Sequence, residues 1–138
     1  MTMSDDLRRM GFSDEQIASA RVDGRPLSEV DRAKASRLPR GMNKTETLYA
    51  VELDYLQREG AIKRWAFEAV KFRLADRTWY TPDFPIWLHD GRMRLVEVKG
   101  PFIREAGRIR FRVARELYPE HEWLMVQRGK GGQWREVQ

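Results

Sequence analysis

The chain has 138 residues, no cysteine, and a formal charge of +5 from 26 Lys and Arg against 21 Asp and Glu. With 41% hydrophobic residues, five Trp and six Phe, it has the composition of one globular domain with a sizeable core, and disorder is excluded. Disulfide scaffolds and thiolate metal sites are excluded as well, the two histidines, His89 and His121, are too isolated for a zinc site, and no apolar run reaches membrane-spanning length.

Residues 1–41 read as a helical N-terminal arm and linker. "SDDLRRM" and "SDEQIASARV" fit two short helices, the second opened by a capping box from Ser13 to Gln16. Mixed Gly, Pro and charge then predict a linker with a helical turn from Ser28. A partner protein recruited through this arm is one expectation for it. The opening residues lack the apolar stretch of a secretory signal, so a cytoplasmic location with no membrane partner is expected.

From residue 42 the periodicity strengthens. "NKTETLYAVELDYLQREG" carries apolar residues at 48, 51 and 55 and again at 49, 53 and 56, a broad helical stripe that Gly60 ends. "IKRWAFEAVKFRL" alternates as a strand, "WYTPDFPIWLH" is a second strand interrupted by prolines, and "RMRLVEVKG" is a third. "REAGRIRFRVARELYP" returns to helical spacing through Ala106, Ile109, Val113 and Leu117. "EWLMVQR" is a fourth strand and "GQWREV" a fifth. The order helix–strand–strand–strand–helix–strand predicts an α/β fold, a mixed four- to five-stranded sheet with helices on both faces.

The turn at Asp90-Gly91 decides which charges meet. A two-residue loop pairs Phe84 with Glu97 and sends Asp83 and Glu97 to opposite faces. A three-residue loop, His89-Asp90-Gly91 with Gly91 left-handed, sets Asp83 across from Glu97 with Lys99 beside both. It also gathers Phe84, Ile86, Leu88, Val96 and Val98 into an apolar layer, so it is the preferred register. Two adjacent carboxylates repel unless a cation intervenes. Mg²⁺ suits an all-oxygen site with few protein ligands, and Mn²⁺ substitutes. The plain alternative is a solvated face with a cross-strand ion pair worth about 0–1 kcal/mol.

"PDF" (82–84) followed by "EVK" (97–99), with a helix before and a helix and strand after, resembles the PD-(D/E)XK nuclease superfamily, most of all its small phage-encoded and Holliday-junction-resolvase-like members. The resemblance spans residues 43 to 128 and implies a restriction-endonuclease-like α-β-β-β-α-β core at 42–138. It implies a Mg²⁺-dependent endodeoxyribonuclease of a bacterial or phage-infected cell, with branched or junction DNA one candidate substrate beside nicked, flapped or single-stranded DNA and RNA. Asp83 and Glu97 would bind the metal, the Val98 main-chain carbonyl would assist, and Lys99 would position the attacking water. Glu46 stands where a further acidic residue often completes such sites, although a capping box from Asn43 explains it equally. Glu68 is a rival third ligand, or simply strand patterning. The alternative function is a nucleic-acid-binding module on the same fold without turnover.

Arg104, Arg108, Arg112 and Arg115 recur at helical spacing opposite the apolar stripe and read as a phosphate-contacting face for DNA, joined by Lys130 in "RGKGGQW". Trp65, Trp79, Trp87 and Trp123 read as core, with one available to stack on a base. Junction resolution would favour a homodimer.

Overall fold

Side-chain caps begin three of the helices. In the computed structural model, which describes residues 2–22, 24–26, 38–101 and 105–137, α1 (Met3–Arg9) starts at Thr2 and α2 (Asp14–Ser19) at Ser13. Each carries a reciprocal box, closed by Asp5 and by Gln16. The short strands β1 (Arg21–Val22) and β2 (Arg25–Pro26) pair antiparallel. α3 (Lys44–Arg58) starts at Asn43, whose side chain accepts from the Glu46 amide while Glu46 accepts from the Asn43 amide. The helical turn expected from Ser28 lies outside the described residues.

The broad apolar stripe of α3 resolves into two. Tyr49, Ala50, Leu53 and Leu56 pack against the main sheet, whereas Leu48, Val51 and Tyr55 receive Met3, Leu7, Phe12, Ile17 and Val22 from the arm. A helix covered on two sides needs this wide a stripe, because each neighbour claims its own row of side chains.

The main sheet contains β3 (Arg64–Trp65), β6 (Phe84–Trp87), β7 (Met93–Lys99), β8 (Glu122–Arg128) and β9 (Trp134–Val137), adjacent in that order. The β7–β8 pair is parallel and the other three are antiparallel. The α/β class and the mixed five-stranded sheet therefore hold, with α3 on one face.

Two expectations are corrected. The stretch 62–74 is not one strand. β3 ends at Trp65, the chain passes Glu68 at φ 48, and it extends again as β4 (Phe72–Ala75), which pairs with β5 (Thr78–Tyr80) in a separate hairpin. A left-handed residue cannot continue a strand, and alternation in the sequence does not reveal a φ reversal.

The second correction concerns α4 (Glu105–Leu117), the crossover from β7 to β8. Most of its expected inward stripe faces solvent: Ala106 is exposed, Ile109 and Leu117 are each 50% exposed, and Val113 is half-buried. Phe111 and Ala114 are buried instead, flanked by the half-buried Gly107 and Tyr118. Phe111 meets Trp123 edge-on at 6.1 Å and 86°, and the small residues 107 and 114 let the helix approach the sheet around that ring. Among the described residues no helix is long and apolar enough to cross a membrane.

Candidate metal centre

The β6–β7 hairpin adopts the three-residue turn. Phe84 faces Val96, Trp87 faces Met93, and the Leu88 amide donates to the Arg92 carbonyl around His89, Asp90 and Gly91, whose φ is 89°. Phe84, Ile86, Val96 and Val98 fall in one buried cluster with half-buried Leu88 against it. Extending the register by one residue sets Asp83 opposite Glu97 on the other face.

Hydrogen bonds lock this pair. The Asp83 amide donates to Glu97 Oε1 at 3.3 Å, and the Val98 amide donates to Asp83 Oδ2 at 2.9 Å. Lys99 Nζ lies 3.1 Å from Glu97 Oε2. Asp83 and Glu97 are each only 9% exposed. Burial first, and then the neighbouring Glu97 charge, push the Asp83 carboxyl up to about 8; Glu46 adds to this, while the Val98 amide and Lys99 oppose it. The sheet thus presents an acid that resists ionisation at neutral pH in the absence of a cation.

A third and a fourth carboxylate approach from other elements. Oxygens of Glu46, Glu68 and Asp83 all lie within 4.8 Å of one another. Glu46 comes from the first turn of α3 and spends Oε1 on the Asn43 amide at 2.9 Å, so the capping role and proximity to Asp83 coexist in one residue. Glu68 is not strand patterning: it sits in the turn after β3, where its amide donates to the Asp83 carbonyl at 2.8 Å. Its sequence signal was only its residue type, since nothing local announces the left-handed turn that brings it here. Glu97 and Lys99 stand beside this trio, outside it. Val98 points its side chain into the opposite cluster and offers Asp83 its amide.

An all-oxygen donor set of clustered carboxylates, one with a strongly raised pKa, fits a hard divalent cation such as Mg²⁺ or Mn²⁺. Held there, it would offset the burial and the Glu97 repulsion that raise the Asp83 pKa.

The basic residues are arranged differently from expectation. Arg104 lies outside the described residues. The first turn of α4 passes over Lys99, since a Cβ on Gly107 would come 3.0 Å from Lys99 Nζ. Arg108, the next residue, is half-buried, and its Nε is buried without a hydrogen-bond partner. Arg112 and Arg115 are exposed farther along α4, with the Arg115 guanidinium 5.8 Å from the Phe111 ring centre. The basic row therefore flanks the buried face rather than opposing it, a correction that follows from the rotation of α4. Lys130 is exposed in the turn between β8 and β9, at the same end of the sheet as Lys99, because Lys99 aligns with Gln127. Trp123 is core, but Trp79 is 47% exposed with Lys71 Nζ 4.9 Å from its ring centre.

No family model matches the chain, and neither a curated protein nor a solved structure matches it.

Proposed function

We propose that this protein is a metal-dependent endonuclease that hydrolyses DNA phosphodiester bonds. The observation that carries the reading is the convergence of Asp83 and Glu97 across β6–β7, with Lys99 Nζ 3.1 Å from Glu97 and Glu46 and Glu68 closing on Asp83. Four carboxylates and one ammonium at a sheet end are poor packing but a suitable frame for a cation that must meet a phosphate.

In this reading Asp83, Glu46 and Glu68, with Glu97 beside them, would hold Mg²⁺. The cation supplies Lewis acidity toward a phosphate oxygen. Lys99, anchored by Glu97, orients the water that attacks phosphorus and offsets the negative charge that develops as the P–O ester bond breaks. Arg108, Arg112, Arg115 and Lys130 contact neighbouring phosphates and seat the strand, which makes binding salt-sensitive.

The test is incubation with supercoiled, branched and single-stranded DNA in the presence of Mg²⁺ or of EDTA. The expected result is cleavage of at least one substrate with Mg²⁺, abolished by EDTA and by Asp83→Ala. Salt-sensitive binding with no cleavage of any substrate would instead identify a nucleic-acid-binding module without turnover.

A further inference from the structure

Tyr80 ends β5 three residues before Asp83 and is 7% exposed. Its ring packs in the cluster that contains Leu95 and Met125. Those two residues are immediate neighbours of Glu97: Leu95 precedes it by two positions on the same face of β7, and Met125 is its partner on β8. The phenol is thereby aimed along the row that ends in the Glu97 carboxylate.

The hydroxyl is anomalous. Tyr80 Oη is buried and makes no hydrogen bond of full geometry, although burial first, then the charge and the hydrogen-bonding reach of the Glu97 carboxylate, and last the Asp83 charge raise its pKa. A buried hydroxyl without a partner is destabilising relative to the phenylalanine that would fill the same space. The ring accounts for the packing, since it meets Trp123 at 6.4 Å between centres, and the oxygen adds nothing to that. Glu97 has spare acceptor capacity: Oε1 takes one long bond from the Asp83 amide at 3.3 Å and Oε2 takes Lys99 at 3.1 Å.

We propose that Tyr80 is a positioning residue of the carboxylate site, whose hydroxyl donates to Glu97 and fixes that carboxylate when a divalent cation is taken up. This rests on the metal-dependent reading above. It assigns the hydroxyl the role that outer hydrogen-bond partners play at metal sites, where they orient a ligand they do not replace. A donor within reach of the ligand but without a well-formed bond to it accounts for a phenol, rather than a phenylalanine, at this position.

The experiment compares wild type, Tyr80→Phe and Asp83→Ala by calorimetric titration with Mn²⁺ and by thermal unfolding without and with Mn²⁺. Tyr80→Phe is expected to melt at or above the wild-type temperature without metal, to bind Mn²⁺ about 10–100-fold more weakly, and to gain less from Mn²⁺ on heating. Asp83→Ala is expected to lose binding. Equal Mn²⁺ affinity in wild type and Tyr80→Phe overturns the role of Tyr80 and leaves the metal site intact. A lower melting temperature for metal-free Tyr80→Phe also overturns it, because the hydroxyl would then already be bonded in the fold. No Mn²⁺ binding by wild type removes the metal-dependent reading together with this inference.

Discussion

On one face of β6 and β7, Phe84, Ile86, Val96 and Val98 meet Tyr49 and Leu53 of α3, with Trp65 and Phe67 packed against them. On the other face, Leu95 shares its row with Asp83, Glu97 and Lys99. The two faces use alternate residues of the same strands, so register alone decides which is which. The first is stabilised by burial. The second holds buried acids, and burial first, then the neighbouring Glu97 charge, raises the pKa of Asp83. A buried carboxylate with a raised pKa beside other acids marks this face as the candidate site.

Mutations should separate the two faces. Phe84 is fully buried, with Tyr49, Trp65 and Phe67 ring centres 5.4–5.8 Å away. Phe84→Ala is expected to lose about 3–5 kcal/mol in urea unfolding; a loss below about 1 kcal/mol would mean that this face is not the structural one. Asp83→Asn should behave in the opposite way. Its unfolding free energy above neutral pH should equal or exceed that of wild type, because a repelling charge is gone, while DNA cleavage falls more than about 100-fold, since a ligand should matter more than its outer partners.

The pH dependence sharpens the contrast. The unfolded Asp83 carboxyl titrates near 3.8 and the folded one near about 8, so across that interval the folded state retains a proton that the unfolded state has released. Its contribution to stability is whole below the lower value and is lost as pH rises through the upper one. The melting temperature of the metal-free wild type should therefore drop relative to Asp83→Asn between about pH 4 and about pH 8, and saturating Mg²⁺ should flatten the difference. Parallel curves for the two proteins would show that Asp83 carries no such shift.

The smallest effect is expected at Gly107. Ala there removes a helix-interior glycine, a gain of up to about 1 kcal/mol, yet its Cβ would crowd Lys99 Nζ at 3.0 Å. The flexible end of Lys99 can yield by a few tenths of an ångström, so Gly107→Ala should melt slightly higher and cleave several-fold more slowly. Unchanged cleavage would show that Lys99 tolerates displacement from Glu97.

Elements governed by local rules were legible. The Ser13 and Asn43 caps, the break at Pro82 before Asp83 and the Asp90-Gly91 turn follow from backbone requirements that a few adjacent residues state in full, whereas Pro85 is held inside β6. The hairpin register was legible too, because the three-residue loop gave the fuller apolar layer and gathered the charges on the other face. The rotation of α4 was not. Its stripe at Ala106, Ile109, Val113 and Leu117 and the buried row around Phe111 are both consistent with a helix, and only contact with Trp123 chose between them. Glu68 was hidden for a related reason, since alternating residues imitate a strand until a positive φ interrupts it.

The sequence by itself therefore determined the element order, the caps and the pairing of Asp83 with Glu97, all of which depend on neighbours within one hairpin or one helical turn. Only the tertiary structure decided that Glu46 from α3, Glu68 from a distant turn and the Tyr80 hydroxyl gather at the same sheet end. Packing between elements fixes distances that no spacing along the chain encodes, and those distances are what a cation and its ligands respond to.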